Sequence, residues 1–149
     1  MKTKHILGLI AALAVTSSAH ALGDLSRANP IEVVMEMGTA NNKMYFKPNQ
    51  LTFETGKAYK LVLKNVDKIK HEVSSTGLIE RVFTRKVEVL DANKKMIAEI
   101  KGNVREIEVA GGGVVEWFFV PIQPGKNIAV ECEIAGHKEA GMVGTITIN

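Results

Sequence analysis

Apolar and polar residues alternate with a period of two along much of the chain. In residues 31–37 the odd positions are apolar and the even positions are mostly charged, which predicts a strand with one buried face. Residues 51–53 and 59–63 show the same pattern on either side of Gly56. A glycine between two alternating segments is typical of a turn, so we interpret these segments as a pair of antiparallel strands.

Further apolar segments are bounded by turn residues. They predict strands at residues 87–90, 96–100, 105–109, 114–120, 127–132 and 143–148. The least regular stretch, residues 74–85, has room for a short helix. Many short strands with almost no helical periodicity indicate an all-β fold, an antiparallel β-sandwich or barrel. We expect the charged segment from Glu80 to Glu108 to form a solvated hairpin that covers the sandwich.

The N-terminus has the layout of a secretory signal peptide. Lys2 and Lys4 precede the apolar run from Ile6 to Val15, and the small-residue pattern Ala19-His20-Ala21 follows. We expect cleavage after Ala21, which leaves residues 22–149 as one domain in the periplasm. The apolar run is too short to span a bilayer, and no other stretch reaches the roughly 20 apolar residues of a membrane-spanning helix.

Removal of residues 1–21 changes the charge and the histidine count. The 19 basic residues fall to 17 against 16 acidic ones. A nearly neutral domain gives no reason to expect nucleic acid as a partner. Of four histidines, only His71 and His137 remain.

Cys132, the only cysteine, is followed at steps of five residues by His137 and Met142. Alternation along the preceding strand places Cys132 on the inward face, where water is scarce. A thiolate, an imidazole and a thioether make up the ligand set of a blue-copper site once a second histidine is added. His71 is the remaining histidine.

The sequence therefore predicts a mononuclear type 1 copper site that cycles between Cu(I) and Cu(II). His71, Cys132 and His137 would lie in the ligand plane, with Met142 on the axis. Gly136 and Gly141, directly before two of these residues, would allow tight bends in the loop.

These residues also have other interpretations. A lone buried cysteine is often only a core residue, and a methionine often only fills a gap in a core. Structural zinc sites usually contain two or more thiolates. A cysteine nucleophile paired with histidine would leave Met142 without a role. Met35, Met37 and Met44 could relay cuprous ion, although alternation places Met35 and Met37 in the core.

From about Met44 to Asn149, the chain resembles the cupredoxin family of small blue-copper proteins. The matching residues are Phe46, Pro48, Leu51, Phe53, Gly56, residues 61–63, Asn65, His71, residues 117–119, Pro121, Pro124, Gly125, Cys132, Gly136, His137 and residues 141–144. The spacing in the ligand loop is similar to that of rusticyanin and auracyanin. The resemblance implies a Greek-key β-sandwich with copper at one end, held by His71, Cys132, His137 and Met142. It also implies that electrons pass through the exposed edge of His137.

The leading hypothesis is a periplasmic one-electron carrier that is not an enzyme. We expect a monomer that forms transient complexes with a donor and an acceptor protein. The alternative is a periplasmic copper-binding protein for copper trafficking or resistance. A subunit or detached domain of a multicopper oxidase or reductase is disfavoured, because two histidines are too few for a further catalytic copper centre.

Overall fold

A computed structural model describes residues 25–149, so the predicted signal peptide at residues 1–21 lies outside the described residues. One turn of 3-10 helix at Leu25–Arg27 precedes the first strand. The strands are β1 (Ile31–Ala40), β2 (Lys43–Lys47), β3 (Gln50–Phe53), β4 (Tyr59–Asn65), β5 (His71–Ser74), β6 (Val82–Leu90), β7 (Met96–Ile100), β8 (Glu106–Val109), β9 (Val114–Pro121), β10 (Gly125–Glu131) and β11 (Val143–Ile148). A short helix, α1 (Thr76–Ile79), follows β5. In this part of the chain no helix is long and apolar enough to cross a membrane.

The strands form two sheets, which confirms the all-β sandwich. The first sheet has the order β2-β1-β4-β9-β6-β7, and the second has the order β3-β11-β10-β5-β8. Most neighbours are antiparallel, but β1 pairs with β4 and β3 with β11 in parallel. Both sheets are therefore mixed, whereas the sequence pattern predicts antiparallel pairing throughout.

The prediction that residues 51–53 and 59–63 pair with each other is wrong. They belong to β3 and β4, which lie in different sheets. Two main-chain hydrogen bonds hold the connection between β3 and β4. The amide of Thr55 donates to the carbonyl of Asn149 (2.9 Å), and the amide of Gly56 donates to the carbonyl of Pro121 at the end of β9 (2.9 Å). The turn at Gly56 thus carries the chain from one sheet to the other instead of closing a hairpin.

Aromatic rings from the two sheets pack together in the core. The Phe53 ring, from the second sheet, lies 4.8 Å from the Tyr59 ring and 5.2 Å from the Phe119 ring of the first sheet, measured between centroids. Both contacts are edge-to-face, the arrangement that aromatic quadrupoles favour. Full burial of each such side chain stabilises the fold by about 1.5–3 kcal/mol. Met35 and Met37 are also buried in this core, as their alternation predicted.

The segment after β5 contains the predicted short helix. The Ser75 hydroxyl caps α1 by accepting a hydrogen bond from the amide of Leu78, and the Leu78 side chain is fully buried. Further on, β6 and β7 form the expected hairpin. However, β6 also pairs with β9 and buries Val82 and Val87. It is therefore part of the first sheet and not a cover over the sandwich.

Candidate metal centre

Three neighbouring strands of the second sheet position the predicted ligands. His71 is the first residue of β5, Cys132 directly follows β10, and Met142 directly precedes β11. Because Glu131 of β10 lies opposite Val143 of β11, the two ends of the loop at residues 132–142 meet. The loop is therefore closed by the sheet at both ends.

Main-chain hydrogen bonds shape this loop. The amide of Cys132 donates to the carbonyl of Met142 (3.2 Å), and the amide of Met142 donates to the carbonyl of His137 (3.0 Å). Gly136 and Gly141 have φ angles of 85° and 107°, a region that side chains rarely adopt. The predicted tight bends at these glycines are present. The backbones of three predicted ligands are thus tied to one another directly.

The side chains of His71, Cys132 and His137 converge on one point. Nδ1 of His137 lies 3.3 Å from Nδ1 of His71 and 3.3 Å from Sγ of Cys132. All three donor atoms lie within 4.8 Å of one another. Transition metals bind imidazole nitrogen and thiolate sulfur at roughly 2.0–2.3 Å, so donor atoms at these separations can share one ion. The group fits a metal with a preference for sulfur and nitrogen.

His71 is fully buried and is held from its far side by Asp67. Nε2 of His71 lies 2.8 Å from Oδ2 of Asp67, and the Thr39 hydroxyl donates to the same oxygen (2.6 Å). A carboxylate can only accept, so the proton of His71 lies on Nε2 and the lone pair of Nδ1 faces the other ligands. This is the usual arrangement of a metal-binding histidine with a carboxylate behind it.

Asn65 fixes the loop that carries Asp67. Its side-chain amide donates to the carbonyls of Ile69 and Val109, both at 2.8 Å, and its Oδ1 accepts from the amide of Asp67 (2.9 Å). Asn65 was among the residues of the family resemblance, but Asp67 was missed. Its position four residues before His71 is a weak signal, because the contact depends on the conformation of the loop between β4 and β5.

Burial favours the uncharged forms of Cys132 and His137 in the absence of a metal. It raises the pKa of Cys132, although main-chain amides of Ile134 and Glu72 act in the opposite direction. The Glu72 amide donates to Sγ of Cys132 at 3.3 Å. Burial, followed by the electrostatic interaction with His71, lowers the pKa of His137. A bound cation would reverse the balance at Cys132, since metals bind the thiolate and displace its proton.

Met142 is fully buried at the end of the loop, within the hydrophobic core. Its backbone bonds to Cys132 and His137 place it beside the three converging side chains, while its role as an axial ligand stays a prediction. Met44 is partly buried, and its amide donates to the carbonyl of Ala140 (3.0 Å). Met44 therefore lies against the ligand loop, whereas Met35 and Met37 are remote from solvent in the core.

The sequence model of the copper-binding proteins of the plastocyanin/azurin family matches residues 33–149. This match covers most of the chain, so the chain belongs to that family. The resemblance to cupredoxins that was drawn from the motifs is thereby confirmed. The three side chains that could hold a metal thus lie within the residues that match a copper-binding family.

Solved structures with a similar fold include larger copper enzymes. The McoA multicopper oxidase of Aquifex aeolicus is 14% identical, with a TM-score of 0.62 over 82% of this chain and 30% of that one. The copper-containing nitrite reductase of Thermus scotoductus is 10% identical, with a TM-score of 0.62 over 84% of this chain and 32% of that one. At such identities the likeness shows the fold alone. The chain spans about a third of the length of these two enzymes.

Auracyanin from Roseiflexus castenholzii is 15% identical to the chain, with a TM-score of 0.47 over 78% of this chain and 96% of that one. None of the curated proteins compared with the chain matches its sequence significantly.

Proposed function

We propose that the protein is a type 1 copper electron carrier, exported to the periplasm, that passes one electron at a time between partner proteins. The observation that carries the proposal is the convergence of Nδ1 of His71, Sγ of Cys132 and Nδ1 of His137. These three atoms would hold the ion, with the thioether of Met142 as a weak axial ligand. Copper supplies the one-electron chemistry when it is bound.

The surroundings of the site hold its ligands in place without the metal. Asp67 orients His71, the amide of Glu72 orients the thiol of Cys132, and main-chain bonds fix the loop. Ligands that are held rigidly change little when the oxidation state changes. Such preorganisation is what a fast electron carrier requires, since reorganisation then opposes the transfer only weakly.

The surface around His137 suits brief contacts with partner proteins. His137 itself is partly buried, while its neighbours Ala135, Gly136 and Gly141 are exposed and small. A small, weakly charged contact area favours rapid release of a partner. We therefore place electron entry and exit at the exposed edge of the His137 ring.

The structure gives less support to the alternative role in copper trafficking. Met35 and Met37 are fully buried in the core, so they offer no exposed relay for cuprous ion. An enzymatic role is also less well supported. Within residues 25–149 His71 and His137 are the only imidazoles, and both belong to this one site.

The test is to load the purified protein with one equivalent of Cu²⁺ and record its visible spectrum. We expect an intense band from thiolate-to-copper charge transfer, which disappears on reduction and returns on oxidation. Cys132→Ser should abolish the band. The control is Val130→Ala, a change at another buried position two residues earlier in the chain, and this variant should keep the band. A protein that binds copper without this band would contradict a type 1 site.

Two rates separate the carrier from a trafficking protein. We expect rapid electron self-exchange and slow loss of copper to an added chelator. Slow self-exchange with ready release of copper would favour trafficking instead. Turnover of dioxygen or nitrite by the copper-loaded protein would point to an enzyme.

A further inference from the structure

A second cluster of possible metal ligands lies on the outer face of the second sheet. It contains Glu72, Glu106 and Glu133, and one carboxylate oxygen of each lies within 4.8 Å of the others. Glu72 belongs to β5 and Glu106 to β8, while Glu133 lies two residues beyond the end of β10. Side chains from three parts of the chain are therefore brought together.

The alternation of side chains explains this location. Along β5, His71 and Val73 point into the core, so Glu72 and Ser74 point to the opposite face. After the end of β10, Cys132 of the candidate metal centre is buried and the next residue, Glu133, is exposed. Ser74 lies opposite Glu106 in the β5–β8 ladder, which places Glu106 diagonally across from Glu72. The carboxylate cluster thus lies directly across the sheet from the His71 and Cys132 side chains.

Glu72 is the unusual member of the cluster. It is only 7% exposed, and its Oε1 has no hydrogen-bond partner among the described residues. The carboxylates of Glu106 and Glu133 lie beside it, and the main-chain amide of Glu133 interacts with its carboxylate. A buried carboxylate oxygen without a partner is costly, which calls for a compensating group.

The lysines on this face do not supply that compensation. Lys70 pairs with Glu108 (2.8 Å), and Lys138 pairs with Glu131 (2.5 Å). The Ser74 hydroxyl donates to Oε1 of Glu133 (2.8 Å). That contact involves Glu133 and leaves Oε1 of Glu72 without a hydrogen-bond partner among the described residues.

We propose that Glu72, Glu106 and Glu133 form a second cation site, which binds Ca²⁺ through carboxylate oxygens. Oxygen ligands select hard cations over cuprous ion, which prefers sulfur. Ca²⁺ binds its oxygens at roughly 2.3–2.6 Å, so oxygens within 4.8 Å of one another fit its coordination shell. Glu106 and Glu133 are exposed, which leaves room for water as additional ligands. The cation would satisfy the buried oxygen of Glu72.

The test is calorimetric titration of the purified protein with Ca²⁺, in copper-free and copper-loaded forms. We expect one saturable site that persists at 0.15 M ionic strength, where diffuse attraction between exposed charges is largely screened. Because Glu72 supplies the buried ligand, Glu72→Gln should lower the affinity for Ca²⁺ by about tenfold or more, as expected when a site loses one of its charged ligands. Since binding is measured with and without copper, the result does not depend on the proposed electron-carrier role.

Two further variants complete the test. Glu106→Gln changes an exposed ligand without disturbing the buried position, and we expect it to weaken binding as well. Glu108→Gln is the matched control, because Glu108 lies opposite Glu72 in the ladder but pairs with Lys70. Its affinity for Ca²⁺ should equal that of the unmodified protein. Absence of saturable binding at millimolar Ca²⁺, or equal binding by the Glu72→Gln and Glu108→Gln variants, would overturn the proposal.

Discussion

Asp67 holds His71 by a hydrogen bond of 2.8 Å between Oδ2 and Nε2, on the side of the ring away from the other ligands. Burial raises the pKa of Asp67, but hydrogen bonds from Thr39 and His71 outweigh it, so the pKa is lowered overall. The carboxylate is therefore charged at neutral pH. A negative charge behind a ligand imidazole makes its other nitrogen more basic and favours the more highly charged metal ion.

Asp67→Asn should weaken copper binding and raise the reduction potential of the site. Loss of an outer partner of this kind typically lowers metal affinity by about 10–100-fold. The potential should rise because Cu²⁺ loses more stabilisation than Cu⁺ when the negative charge is removed. Competition with a chelator and voltammetry measure the two effects.

Asp91→Asn is the control for this prediction. Asp91 lies in the turn between β6 and β7, where its carboxylate accepts hydrogen bonds from the amides of Asn93 and Lys95. The substitution should leave both affinity and potential unchanged. Equal behaviour of the two variants would show that Asp67 does not act on the metal.

The residues of the candidate metal site are easier to predict from the sequence than the contacts that support them. Cys132, His137 and Met142 belong to one loop, so their spacing alone indicates a common site, and His71 follows because few histidines remain. Asp67 could not be found in this way, since its contact depends on how Asn65 and Val109 fold the preceding loop. Local patterns report ligands that are close in sequence and say little about partners brought together by distant strands.

The prediction of strand pairing is limited in the same way, because local patterns do not report contacts between distant segments. The alternation in β3 and β4 showed correctly which side chains face the core, among them Phe53 and Leu61. The alternation could not show which strands β3 and β4 pair with, because a hairpin and a crossover between sheets require the same alternation. The parallel pairing of β3 with β11 joins residues almost a hundred positions apart, which no local pattern encodes.

Met142→Leu should keep the visible band and raise the reduction potential. The band depends on the thiolate of Cys132, which the substitution does not touch. The potential should rise because an axial thioether donates electron density that stabilises Cu²⁺ more than Cu⁺. The visible spectrum and voltammetry of the copper-loaded variant give both results.

Met37→Leu provides a matched control, since Met37 and Met142 are both fully buried methionines in the same core. Exchange of methionine for leucine in a core usually costs less than about 1.5 kcal/mol, so both variants should fold. The Met37 variant should keep the potential of the unmodified protein. An identical potential in all three proteins would argue against Met142 as a ligand.

Removal of copper should lower the free energy of unfolding. A copper ion held by His71, Cys132 and His137 would tie β5 to the loop between β10 and β11. A ligand that binds only the folded state stabilises that state by mass action. At a free copper concentration 100 times the dissociation constant, the gain is about 2.7 kcal/mol. Thermal unfolding of the copper-loaded protein, before and after treatment with a chelator, measures the difference. Cys132→Ser should show little or no such difference, and an unmodified protein that behaves like this variant would contradict the prediction.

Gly111→Ala should destabilise the protein and weaken copper binding. A Cβ atom at Gly111 would lie 2.3 Å from the carbonyl oxygen of Lys68, which is too close for any real contact. Because the obstacle is main chain, the loop between β4 and β5 must shift. Overpacking of this kind costs about 1–3 kcal/mol. The shift would also move Asp67 and, through it, the ring of His71.

Gly112→Ala separates this effect on the site from a general loss of stability. Gly112 has a φ angle of 73°, and a Cβ atom there would meet nothing within 4 Å. Its substitution should cost about 1–2 kcal/mol through backbone strain alone, so the two variants should be destabilised to a similar degree. Denaturant unfolding measures that cost, and competition with a chelator measures the affinity for copper. Only Gly111→Ala should lose affinity, since only it displaces Lys68 and the loop that leads to His71; equal affinities in the two variants would mean that this loop does not position the ligand.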